Sequence, residues 1–143
     1  MRNKTKFYLL VIFMLIPIHI IIPQNNPTRV VVDITLNQKT SNEAGTRLSY
    51  FINSELKKLK NVETVEDNED FKINVMMFEN RTKEGDTLGY VISAIFLAPA
   101  DCDGYGAYKY LTSTLSTARK SEFEIAAKNI VAYFDEDVLK LRK

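Results

Sequence analysis

Residues 71–97 read FKINVMMFENRTKEGDTLGYVISAIFL, two apolar runs held apart by a polar one. Phe71, Ile73, Val75 and Met77 fall on alternate positions, the period of a strand with one buried face. Leu88, Tyr90, Ile92, Ala94 and Phe96 alternate in the same way. Val91, Ile95 and Leu97 make the other face of that second run apolar as well, which predicts a strand that is central or covered on both sides. Between the runs, Asn80 to Asp86 has turn composition with Gly85, so the pair predicts a β-hairpin.

Upstream, Arg29 to Leu36 (RVVVDITL) is a β-branched run suited to an interior strand. Thr40 and Glu43 form a T-x-x-E capping box. Ala44, Leu48, Phe51, Ile52, Leu56 and Leu59 then mark one helical stripe, which predicts an amphipathic helix over 41–59. Lys57, Lys58 and Lys60 suit its C-terminal end, where cations oppose the helix dipole. Val62 to Val65 reads as a short strand, and Glu66 to Asp70 as an acidic turn.

Downstream, Pro99 to Gly106 reads as a loop, and Tyr108 to Thr117 as a last strand with an exposed face of Lys109, Ser113 and Thr117. Ser121 and Glu124 make a second capping box. Phe123, Ala127, Ile130, Val131, Phe134, Val138 and Leu141 continue as one stripe, predicting a closing helix of roughly twenty residues. The expected fold is α+β: a two-layer sandwich in the order β-α-β-β-β-β-α, with two helices on one face of a mostly antiparallel sheet. The first strand–helix–strand unit is expected to pair in parallel.

The amino terminus is of another kind. Arg2, Lys4 and Lys6 precede an apolar run, Leu9 to Pro23, broken only by His19. A basic stretch before a short apolar run is the pattern of a secretory signal. The run from Phe7 to Ile22 is shorter than the roughly 20 residues of a membrane-spanning helix, and it contains Pro17. Residues 1–23 therefore read as a signal peptide or N-terminal anchor, 24–28 as a linker, and 29–143 as a single α+β domain. A buried apolar segment of a cytosolic fold is the third reading of residues 7–22. The expected location is exported, periplasmic or extracellular, with membrane anchoring by residues 7–22 as the alternative. No small-x-small pattern precedes Gln24, and no Cys follows the run to carry a lipid.

Composition then narrows the chemistry. The chain of 143 residues has 19 basic and 18 acidic side chains, a net charge of +1. Loss of residues 1–23 removes Arg2, Lys4 and Lys6 and no acid, leaving a slightly acidic domain. That balance lacks the basic footprint of a nucleic-acid binder. The single His is His19, within the targeting run, so the mature domain would hold no imidazole for a Ser-His-Asp or Cys-His arrangement. One Cys cannot build a thiolate metal site. No G-x-x-x-x-G-K-[ST] or G-x-G-x-x-G phosphate cradle occurs. No catalytic residue, metal ligand or cofactor is expected.

Three local features remain. Cys102 stands between Asp101 and Asp103, whose charges disfavour a thiolate. An unpaired Cys in an exported chain reads either as a free thiol or as an intermolecular disulfide. Asp101-Cys102-Asp103-Gly104 has the opening of a calcium loop and lacks its distal Glu, so it reads as a polar loop. Tyr105, Tyr108 and Tyr110 form a Tyr-rich patch, read either as strand packing or as an interaction surface.

The stretch from Arg29 to Leu97 resembles small bacterial envelope α/β modules. The similarity lies in RVVVDITL, a helix ending SELKKLKNVETVED, then NEDFKINVMMFE and TLGYVISAIFL, with Asp70 to Val75 in the place of a short "aDYxIxV" motif. Such modules occur in the amino-terminal domain of the Tol-Pal translocation protein, in curli-secretion lipoproteins and in lipoprotein activators of cell-wall synthases. The resemblance implies an envelope binding or assembly module rather than an enzyme, and it carries over no functional residue. The expectation is an exported, non-catalytic protein that binds an envelope protein partner. A small-ligand carrier and a carboxylate-based hydrolase are the alternatives.

Overall fold

The computed structural model describes residues 26–38, 40–102 and 105–142, without the side chains of 101, 102, 105, 141 and 142. The expected targeting segment at residues 1–23 lies outside the described residues. Five strands, β1 (Thr28–Leu36), β2 (Val62–Thr64), β3 (Phe71–Arg81), β4 (Thr87–Cys102) and β5 (Tyr105–Ala118), form one sheet in the order β2-β1-β3-β4-β5. Two helices, α1 (Asn42–Leu56) and α2 (Phe123–Tyr133), cover one face of it. The chain order is β-α-β-β-β-β-α, and the fold is the expected two-layer α+β sandwich.

The β1–α1–β2 unit pairs in parallel, and β1 pairs in parallel with β3 on its other side. The longer ladders, β3 with β4 and β4 with β5, are antiparallel. The turn expected at Asn80 to Asp86 closes the β3–β4 hairpin. Thr82 N–H donates to the Asp86 carbonyl at 2.8 Å, and Gly85 takes the left-handed φ of 98° that glycine adopts at little cost.

Register divides the strands into two faces. On the helix side, Ile73, Val75 and Met77 of β3 meet Phe96, Ala94 and Ile92 of β4. These are buried with Leu48, Ile52 and Leu56 of α1 and Ala127, Ile130 and Val131 of α2. Phe96 lies at the centre, stacked with Tyr133 at 5.7 Å and Phe134 at 5.9 Å between ring centroids. Thr112 on β5 and the Tyr133 hydroxyl lie 3.1 Å apart, close enough for a hydrogen bond between the sheet edge and α2.

The helix starts differ from the expected boxes. Ser41, not Thr40, caps α1, accepting from Ala44 N–H at 3.3 Å. Thr40 is buried instead, its hydroxyl donating to the Met77 carbonyl and accepting from Glu79 N–H. At the second helix, the Glu122 carboxylate caps Arg119 N–H at 2.8 Å, and a 3₁₀ turn, Lys120–Glu122, opens the segment. Glu124, expected to close the box with Ser121, instead pairs with Lys128 one turn along at 3.0 Å. α1 ends at Leu56, short of the expected 59, with Leu59 packed against the core from the following turn.

The region expected as a loop at Pro99 to Gly106 is largely strand. β4 runs to Cys102 and β5 starts at Tyr105, with Pro99 opposite Tyr108. Pro99 lies past the end of the β3 ladder, which closes at the Lys72–Leu97 pair, so at this point β4 has β5 as its one described neighbour, the edge position where proline is tolerated. Leu88, expected on the buried face with Tyr90, is exposed. An irregularity in the ladder between Asn80 and Arg81 shifts it out of register. The closing helix passes from α2 into a π-helical turn, Phe134–Val138, and then a 3₁₀ turn, Leu139–Arg142. The wider turn buries both Phe134 and Val138.

Candidate functional site

The face of the sheet opposite the helices carries no further layer among the described residues. Four rows cross it. Val31, Lys72, Leu97 and Tyr110 form the first, and Asp33, Asn74, Ile95 and Ser113 the second. Thr35, Met76, Ser93 and Leu115 follow, and then Phe78, Val91 and Thr117. Leu115 is 73% exposed, Tyr110 59% and Phe78 43%, while Met76, Val91, Ile95 and Leu97 are half-buried by their neighbours. Phe78 lies opposite Val91 and Tyr110 opposite Leu97, so the exposed side chains are joined across the face through half-buried ones, and a joined apolar surface marks a contact site more often than isolated residues do. Asn74, in the middle, has its side-chain carbonyl oxygen shielded with no hydrogen-bond partner among the described residues.

One corner of this face is polar and organised. The acidic turn after β2 returns to β3 through Asp70, whose N–H donates to the Arg29 carbonyl and whose carboxylate accepts from Arg29 N–H at 2.9 Å. Beside it, the Tyr108 hydroxyl donates to the Glu69 carboxylate. That bond, with Glu69's own backbone amide, holds the Glu69 carboxyl below its usual range, and it pushes the Tyr108 phenol above its own. Lys72 reaches Asp33 at 3.2 Å and lies 5.5 Å from the centre of the Tyr108 ring. Tyr108 and Tyr110 thus stand on the open face, at its β5 edge. The side chains of Tyr105 and Cys102, paired in register where β4 turns into β5, lie outside the described residues.

The sequence singles out Tyr105, Tyr108 and Tyr110, and does not single out Phe78, Leu115 or the half-buried row between them. The signal lies in the second apolar face of β4, Val91, Ile95 and Leu97, which predicts a strand that is central or covered on both sides. The strand is central, between β3 and β5, and the helices cover only its other face.

A cleft of about 690 Å³ lies between β5 and the π-helical turn, lined by Phe71, Lys109, Leu111, Tyr133, Glu136 and Val138 among others. It is where a small-ligand reading would place its site. Carboxylates in defined contacts elsewhere meet cations or hydroxyls: Glu79 with Arg81 and Thr87, Glu43 with Lys120. Among the described residues no group of three His, Cys, Asp or Glu side chains is placed to hold a metal ion. No helix among them is long and apolar enough to cross a membrane.

No family model and no curated protein sequence matches this chain. Solved structures show distant likeness. A hypothetical protein of Chlamydia trachomatis is 10% identical with a TM-score of 0.49, over 78% of this chain and 98% of that one. PelC of Paraburkholderia phytofirmans, described as a dodecamer, is similar in two crystal forms. One gives 13% identity and a TM-score of 0.45 over 76% of this chain and 86% of that one. The other gives 14% and 0.43 over 76% and 84%. At these identities and scores the likeness carries nothing about function.

Proposed function

We propose that this chain is an exported, non-catalytic module of the cell envelope that binds a protein partner through the open face of its sheet. The observation that carries the reading is that face: Phe78, Tyr110 and Leu115 exposed around half-buried Met76, Val91, Ile95 and Leu97, with no described element over them. A sheet buries one face readily in a two-layer fold, and the other is ordinarily polar. Apolar side chains there gain free energy only when another surface covers them. The basic-then-apolar amino terminus supports export. The resemblance of residues 29–97 to envelope modules supports the compartment.

The test places a photo-crosslinking amino acid at Leu115, and separately at Lys109, in the full chain expressed in its native cell. The expected result is one discrete protein adduct from position 115, located in the envelope fraction. Adducts from neither position, or accumulation of the chain in the cytoplasm with Met1 retained, overturn the proposal. The small-ligand reading keeps a specific foothold in the cleft beside Tyr133. A ligand that raises the melting temperature and is displaced by a bulky substitution at Leu111 would favour it instead.

A further inference from the structure

The second half of β1 is a strand edge with no partner on its outer side among the described residues, and it runs beside a groove. β2 pairs only with Thr28, Arg29 and Val30, and the last bond on that side is Val65 N–H to the Val30 carbonyl, at 3.0 Å. Arg29 and Asn37 bond toward β3, through Asp70 and Met77. In a parallel ladder a residue directs its N–H and C=O to the same side, and successive residues alternate. Val32, Ile34 and Leu36 therefore direct both groups away from β3, and no described residue bonds them there. Above this edge, Asn42, Thr46, Tyr50 and Asn53 of α1 wall a groove of about 680 Å³ whose floor is Ile34 and Leu36.

We propose that this edge binds an extended peptide segment of a protein partner as an added strand, seated in line with β2 between β1 and α1. Main-chain bonds to Val32, Ile34 and Leu36 would give the affinity. The groove would take alternate side chains, small or apolar over Ile34 and Leu36 and hydrogen-bonding against Asn42 and Asn53. Two observations select this occupant. A second copy pairing antiparallel about Ile34 would set each copy's chain at positions 38–40 against the other's Thr28–Val30, the slot that β2 already fills. What remains is about 17 Å of edge, five residues at ~3.3 Å each, which suits a single strand and not a dimer interface. Past Val65, whose N–H bonds the Val30 carbonyl at the head of this slot, the chain continues directly into Glu66 and Asp67, both exposed and without an ion-pair partner among the described residues. The peptide end that abuts β2 is therefore basic.

This site lies on the sheet's edge and on its helix side, apart from the open face, so either surface can fail alone. The experiment uses the full chain and a synthetic peptide that alternates valine and threonine, with two lysines at one end. Controls are the same peptide N-methylated on alternate amides, and one with glutamates in place of the lysines. Binding is followed by fluorescence anisotropy, and amide exchange is read at Val32, Ile34 and Leu36. Saturable binding that protects these three amides supports the proposal. So does a loss of about tenfold or more with Ile34→Pro, which deletes one outward donor, and with Thr46→Trp, which fills the groove from an exposed position. Both variants are checked for unchanged melting, and either alone suffices if the other fails to fold. Lack of binding, binding equal for the N-methylated peptide, or binding untouched by either variant overturns it. Equal binding of the glutamate peptide overturns the basic end, and protection of the same amides by self-association without peptide assigns the edge to a second copy.

Discussion

The Thr40 hydroxyl stands 3.3 Å from the Met77 carbonyl and 3.1 Å from Glu79 N–H, so one buried side chain ties the entry of α1 to the middle of β3. Thr40→Val keeps the shape and removes the bridge. It leaves the partly buried Glu79 N–H without its acceptor, whereas the Met77 carbonyl still receives Asn37 N–H at 3.1 Å. The expected cost is about 1–3 kcal/mol by denaturant unfolding, the usual penalty for orphaning a buried group. Thr40→Ser retains most of the stability. Ser41→Ala removes the true cap and costs about 1 kcal/mol. If Ser41→Ala and not Thr40→Val dominates, the division of labour between the two residues is reversed.

Those adjacent hydroxyls show what local sequence can and cannot tell. Either one, read alone, is an acceptable N-cap, and only the position of β3 decides between them. Periodicity made the strands and both helical stripes legible, because burial on one face imposes a period of two or of 3.6 on the chain itself. The turns where the stripes begin and end were less legible. Glu122 and Glu124 lie two positions apart with the same side chain, and tertiary placement chose the first. The open face was half legible. Val91, Ile95 and Leu97 announce an apolar surface, but the same pattern would arise under a second helical layer. The edge of β1 that no described residue pairs was legible only as a difference in length, an eight-residue strand beside the short Val62–Val65; which half stays over is a matter of register between distant segments.

Phe134 sits where α2 widens into the π-helical turn, stacked on Phe96 and edge-on to Phe71 at 5.7 Å. It is fully buried. Phe134→Ala should cost about 3–5 kcal/mol, from the lost transfer energy and the cavity left at the junction of three strands and the last helix. Phe134→Leu should cost clearly less. Calorimetry or urea unfolding checks both, and a change below about 1 kcal/mol for the alanine variant would place this ring outside the core.

Leu115→Ser and Tyr110→Ser act in the opposite sense. Each removes apolar surface that the isolated protein leaves in water, so unfolding free energy should stay within about 0.5 kcal/mol of the parent. Co-purification of the partner that position 115 identifies by crosslinking should fall in both variants, neither of which carries the crosslinker. A stability loss comparable to that of a core residue would show that the face is already covered within the chain.

The Tyr108–Glu69 contact predicts a pH dependence with two limbs. Its hydrogen bond lowers the Glu69 carboxyl from the ordinary 4.5, so the folded state binds that proton less readily than the unfolded chain. The contribution is fully present above about pH 4.5 and is lost as pH falls through the lower folded value. The same bond raises the Tyr108 phenol from 10.0. That contribution is fully present below about pH 10 and is lost as pH rises through the higher folded value. Between the limbs the acidic turn is tied to β5. Tyr108→Phe removes the bond while keeping the ring beside Lys72, and it should flatten both limbs together. Glu69→Gln should flatten the acid limb and draw the Tyr108 titration back toward 10.0. The measurement is stability against pH by denaturant unfolding, with the phenol followed by its ultraviolet absorbance. Parent and Tyr108→Phe curves that stay parallel below pH 4.5 and above pH 10 would mean that the contact does not hold in solution.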